Sequence, residues 1–251
     1  MSSMLASPVD SDVTSAPPHY RRLVVAACPR SGTGYTAALF RAAGIQCGHE
    51  QRYMPFPAIA EPALRANEPR MRACARRIRQ SLRRAADRTP GESSWMAVPR
   101  LPFTGRALRI VQVRHPLQVI ESFTGTGLWS DTSRRDASQN RYAGIYYTAT
   151  GDDVTDTLRW WWLWNKLCLP FADVVWKLED IDEDALASVL RLMGVDRAGP
   201  TARSALAQVP RSVNTQRART SRRRWLSWSA IKDGVDKERA ETLARALGYD
   251  L

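Results

Sequence analysis

Short, continuously apolar runs alternate along this chain with longer stretches of helical periodicity. The first run, Leu23 to Ala27, has the pattern of a parallel strand buried on both faces. It breaks at Pro29 and enters a Ser-Gly-Thr-Gly turn, after which Tyr35 to Ala43 reads as a helix closed by Gly44. A second strand is predicted over Arg109 to Val113, followed by Arg114-His115-Pro116 and a helix from Leu117 to Phe123 with Pro116 near its first turn. Trp95 to Val98 reads as a further short strand, and Gly44 to Gln51 as a loop. Alternating strands and helices predict an α/β fold: a parallel sheet of about four to five strands with helices on both faces.

The remaining pattern is mixed. Pro57 to Ala86 is helical and rich in Arg, which suits a solvated face or an anionic partner. Residues 123–150 show little periodicity, the mark of a lid or binding loop. Thr155 to Leu169 is helical and carries Trp160, Trp161, Trp162 and Trp164. Three consecutive Trp cannot share one helix face, so the expectation is one or two in the core and the others lining a cleft. Glu183 to Met193 is an amphipathic helix ending near Gly194. The stretch from Arg197 to Thr220 lacks pattern, and a last helix spans about Asp236 to Leu247. Residues 1–20, rich in Ser, Pro and Asp, read as a disordered tail preceding a single domain over 21–251.

The candidate chemistry sits at the two strand ends. Strand, glycine turn and helix together aim backbone N–H groups and a helix N-terminus at an anion. Arg30 and the hydroxyls of Ser31 and Thr33 add donors there. The turn is not the nucleoside-triphosphatase loop, because Tyr35 stands where that motif needs Lys. It is not the dinucleotide fingerprint either, because Ala37 occupies the third glycine position. Arg114, at the carboxyl end of the second strand, suits bidentate capture of a phosphate, and Ser122 on the next helix can add a hydroxyl. Two anion sites on neighbouring strands imply a ligand with anions at both ends.

These motifs resemble those of the sulfotransferases that use 3′-phosphoadenosine 5′-phosphosulfate (PAPS). Pro29-Arg30-Ser31-Gly32-Thr33 is similar to the family's 5′-phosphosulfate loop, and Arg114 with Ser122 to its 3′-phosphate site. Val174 to Ile181 resembles a strand and turn found further along that fold. Arg30 replaces the Lys usual in the cytosolic small-molecule enzymes, as in the tyrosylprotein and many bacterial members. The resemblance implies the P-loop-like sulfotransferase fold and transfer of a sulfuryl group from PAPS to a hydroxyl or amine, releasing PAP without a metal. It implies donor contacts from Arg30, Ser31, Gly32, Thr33, Gly34, Tyr35, Arg114 and Ser122. The family often closes the 3′ site with a C-terminal basic segment. Arg222, Arg223 and Arg224 are the candidates for it, although the conventional Arg-Lys-Gly element is absent as such.

An acceptor alcohol must lose a proton to a general base. His49 and Glu50 follow the first helix and should return to the same end of the sheet. In the Arg-type relatives a Glu about this far beyond the loop Arg is the base, which favours Glu50. His49 remains a rival because imidazole works near neutrality without adjustment. A small-molecule or carbohydrate acceptor is expected, on the strength of the Trp-rich segment.

Composition adds limits. The formal charge is +12, and only four of the 37 basic residues are Lys. The charge suits a doubly anionic nucleotide, with nucleic-acid binding as the competing class. No recognised nucleic-acid motif accompanies it, so no nucleic-acid partner is expected. A small-molecule kinase would share the fold but would need the Lys and Mg²⁺ pattern. No signal peptide and no membrane-length apolar run are visible. The spacings of Cys28, Cys47, Cys74 and Cys168 match no zinc or redox motif. Four reduced thiols in a cytoplasmic protein are expected.

Overall fold

The computed structural model describes residues 19–51, 91–124, 126, 129–130, 148–211 and 226–251. Its centre is β1 (Leu23–Ala27), buried at all five positions. β1 pairs in parallel with β3 (Gly91–Ser94) on one side and with β4 (Leu108–Val113) on the other. β2 (Cys47–His49) extends the sheet beyond β3, and β5 (Val174–Lys177) extends it beyond β4. The five strands run in the order β2-β3-β1-β4-β5, all parallel, as the alternating pattern predicts.

Strand pleating divides the core between the two faces. Val24, Ala26, Val111 and Val113 face one layer, made from α2 (Pro116–Thr124), α3 (Asp153–Cys168) and α6 (Val235–Ala246). Leu23, Val25, Leu108 and Ile110 face the other, made from α1 (Thr33–Ala42), α4 (Glu183–Leu192) and α5 (Ala198–Gln208). The helix caps follow sequence chemistry. Asp152 and Asp182 accept from the Thr155 and Ala185 amides at the starts of α3 and α4. Gly44 (φ 83°) and Gly194 (φ 77°) follow the ends of α1 and α4.

Three expectations need correction. Trp95 to Val98 is not a strand: Trp95–Phe103 is a 3₁₀ segment started by the Ser94 hydroxyl, which accepts from the Met96 amide. The strand is the preceding Gly91–Ser94, whose polar residues are buried because strands flank it on both sides. The loop expected over Gly44 to Gln51 contains β2, a three-residue edge strand too short to show alternation. The unpatterned stretch after Arg197 begins with α5, which packs through Ala198, Ala202 and Ala205.

The tryptophans also depart from expectation. Trp160, Trp161 and Trp164 are all fully buried, and Trp160 packs edge-on against Trp95, Trp129 and Trp164. A ring of this size removes 150–250 Å² from water, worth about 4–6 kcal/mol. Trp162 lies partly exposed at the other side of α3, bonded to Asp236 and flanked by Lys166 and Arg239. No tryptophan of α3 lines the strand-end cleft. Of the expected tail, residues 1–18 lie outside the described residues, as do the Arg-rich helix, most of the 123–150 loop, Cys74 and Arg222, Arg223 and Arg224. Tyr20, at the end of that tail, is fixed to the fold by its amide, which donates to Leu192 O at 2.9 Å.

Candidate active site

The strand order fixes where a ligand can sit. The chain leaving β1 turns towards β2, while the chain leaving β4 turns towards β5. Such a divergence opens a crevice beyond the carboxyl ends of the two strands. The loop after β1 carries Arg30 to Gly32, and the residue directly after β4 is Arg114.

Local sequence shapes the first loop. Arg30 (φ 70°) and Gly32 (φ 85°) both take left-handed backbone, and the Ser31 amide turns back to donate to Cys28 O at 3.1 Å. Gly32 is the N-cap of α1 and is held close: a Cβ there would stand 2.7 Å from Leu178 Cδ2. Gln112, fully buried on β4, ties the loop down: its amide nitrogen donates to Ser31 O, and its amide oxygen accepts from the Thr36 hydroxyl. Ser93 on β3 donates to Thr33 O at 2.9 Å. The first-turn amides of α1 have no acceptor within the helix and face the crevice as a positive pole. The Ser31 hydroxyl, also fully buried, has no hydrogen-bond partner among the described residues.

The second anion motif joins the first. Arg30 Nε donates to Ser122 Oγ at 2.9 Å, and Arg114 donates to Arg30 O at 2.8 Å. Arg30, Arg114 and Ser122 therefore form one cluster. Burial, and then Arg114, pull the Arg30 guanidinium below its ordinary proton affinity, with Glu50 opposing. Burial does the same to Arg114, against Glu179, Glu121 and Tyr249. Two half-buried guanidiniums that repel one another, with a serine hydroxyl, a backbone carbonyl and the exposed Gln118 as their hydrogen-bond partners among the described residues, make a site that favours an anion.

His49 ends β2 and Glu50 follows it, so both reach the same edge. His49 Nε2 shares a 3.1 Å hydrogen bond with Thr33 Oγ1 and lies 3.5 Å from Glu50 Oε1. Burial, and then Arg41, lower the His49 proton affinity, which favours a neutral imidazole. Burial, and then the carboxylate of Glu92, raise that of Glu50, while Arg30 and a hydrogen bond from Trp95 oppose the rise. Comparison of the chain with protein-family models and with curated proteins finds no match in either.

Most of the expected residues come together. Tyr35 contributes differently: its ring is 5% exposed and packs in the core, leaving its amide for the crevice. The sequence reading missed Gln112, visible as an amide within the apolar run of β4, and Glu92, a lone acid within β3. It also missed a latch behind Arg114. Glu179 accepts from the His115 amide at 2.9 Å and from the Tyr249 hydroxyl at 3.3 Å. The Leu117 amide donates to His115 Nδ1, leaving Nε2–H to donate to Asp250 O. Trp161 Nε1 donates to Arg114 O at 2.9 Å from the opposite side.

Proposed function

We propose that this protein transfers a sulfuryl group from PAPS to a hydroxyl or amine of an acceptor, releasing PAP. The observation that carries the reading is the single cluster formed by Arg30, Arg114 and Ser122 beside the α1 N-terminus. A nucleotide bearing anionic groups at its 5′ and 3′ positions would match two such adjoining cationic strand ends.

In the proposed reaction the acceptor oxygen or nitrogen attacks sulfur in line. Its new bond to sulfur forms as the bond from sulfur to the 5′-phosphate oxygen breaks. The departing phosphate gains negative charge, which Arg30 and the first-turn amides would stabilise. The acceptor proton passes to Glu50, whose raised proton affinity suits a base working near neutrality. His49, bonded to Thr33 at the loop, would orient acceptor or base.

Calorimetry with PAP, set against ATP and Mg²⁺, tests the donor. Arg114→Ala should weaken PAP by about 2–4 kcal/mol, because a charge-assisted contact to the 3′-phosphate is lost. Adenosine 5′-phosphosulfate lacks that phosphate and should be nearly unaffected. Equal losses for both nucleotides would show that Arg114 does not read the 3′ group. With labelled PAPS and a responsive acceptor, Glu50→Gln should cut turnover by roughly 10²–10⁴-fold while leaving PAP affinity intact.

A further inference from the structure

Glu92 is 1% exposed in β3, between β1 and β2. Its side chain passes Gly48 of β2 closely: a Cβ on Gly48 would collide with Glu92 Oε2, and the glycine leaves the carboxylate room in this position. Glu92 Oε1 accepts from the Gln51 amide at 2.8 Å. The neighbouring Glu50 amide donates to Ser93 O at 3.3 Å. Two successive amides after β2 are thus both held by β3. Between them Glu50 takes a left-handed backbone, φ 56°, a conformation that a side chain other than glycine or asparagine adopts only when its surroundings impose it.

We propose that Glu92 is a positioning residue for Glu50: it fixes the turn that aims Glu50 into the crevice, and it supplies the negative charge that Glu50 faces from β3. The inference deepens the sulfuryl-transfer reading and rests on it for the role of Glu50. Among the described residues, the charged and hydrogen-bonding groups that meet Glu50 come from four surrounding segments. Glu92 comes from β3, Arg30 from the loop after β1, Trp95 from the 3₁₀ segment and His49 from β2. Arg30 and Trp95 stabilise the Glu50 carboxylate, whereas burial and Glu92 oppose it. Without Glu92 the Glu50 proton affinity would fall, with burial, the larger cause, still holding it up. With Glu92 in place, the pair keeps one carboxylate basic beside another, an arrangement that separates the proton affinities of neighbouring acids.

Two substitutions separate fixing the turn from supplying charge. Glu92→Gln keeps an oxygen for the Gln51 amide and removes the charge. In this variant the Glu50 carboxyl, followed by carbon-13 NMR and assigned by its loss in Glu50→Gln, should titrate at lower pH than in the wild type. The acid limb of kcat/KM should move the same way, while PAP affinity stays near wild type. Glu92→Ala removes the acceptor as well, and its turnover at the optimum should fall roughly 10–100-fold below that of Glu92→Gln, through misplacement of Glu50. An unmoved Glu50 titration in Glu92→Gln overturns the proposal, whatever reaction the protein performs. Equal turnover in the Gln and Ala variants overturns the positioning half of it. A Glu50 titration that shifts in Glu92→Gln, together with a wild-type protein that transfers nothing from PAPS, supports the coupling and overturns the sulfuryl-transfer reading instead.

Discussion

Gly32 carries two constraints at one position. Its φ of 85° is costly for any residue with a Cβ, and its hydrogen faces Leu178 where a methyl would stand 2.7 Å from one Cδ and 2.8 Å from the other. Gly32→Ala should therefore destabilise the protein by about 2–4 kcal/mol, combining backbone and overpacking costs. Urea unfolding of Gly32→Ala, Leu178→Ala and the double variant would resolve the two. The Leu178 truncation should recover the contact part and leave the backbone part, giving a non-additive cycle. Strict additivity would show that the two residues do not press on one another. Gln112 adds a different lesson. An uncharged amide with no exposure holds both a loop carbonyl and a helix hydroxyl, so the anion loop is fixed from below by β4.

Elements explain what could be foreseen. β1 and β4 were legible because continuous apolar runs end in abrupt turns, and the helices after them because apolar positions recur at helical spacing. β2 and β3 were not, because Cys-Gly-His and Gly-Glu-Ser-Ser have no strand pattern of their own. Their burial is conferred by neighbours distant in sequence. α5 escaped for a related reason: its buried side is built from alanines, which mark no periodicity. At the site, Arg30 and Arg114 could be foreseen from their places after strands and Ser122 from its place on the helix that follows Arg114, whereas the Glu92 contact at Gly48 only exists once β2 and β3 pair. α3 shows how one helix divides its labour. Trp161 Nε1 holds Arg114 O, while Trp162 Nε1 holds Asp236 on α6. Trp161→Phe should weaken PAP several-fold by freeing the turn that bears Arg114, for the loss of about one buried hydrogen bond. Trp162→Phe should leave PAP affinity unchanged. Calorimetry on the pair checks this, and equal effects would mean that α3 acts on the site only through overall stability.

Across the whole molecule, the site is a source of instability. Glu50 holds its proton above the ordinary value of 4.5, chiefly because it is buried and then because Glu92 is near. Below that ordinary value the carboxyl is protonated in both native and unfolded chains, and the native state bears no charge penalty. As pH rises through the interval above it, the unfolded chain releases the proton first, so stability falls until the native carboxyl ionises too. Glu50→Gln should consequently be more stable than the wild type at pH 7, with the gain shrinking as pH falls towards 4. Denaturant midpoints across that range measure it, and a constant difference at all pH values would contradict the sign.

The latch behind Arg114 has a temporal meaning for a chain emerging from the ribosome. The glycine turn and both crevice arginines leave the exit tunnel well before the segment that bonds Glu179, His115 and Lys177 through Tyr249, Asp250 and Gly248. A nascent chain halted before residue 248 would carry every strand of the sheet, yet its His115 ring would lack the Asp250 carbonyl and its Glu179 the Tyr249 hydroxyl.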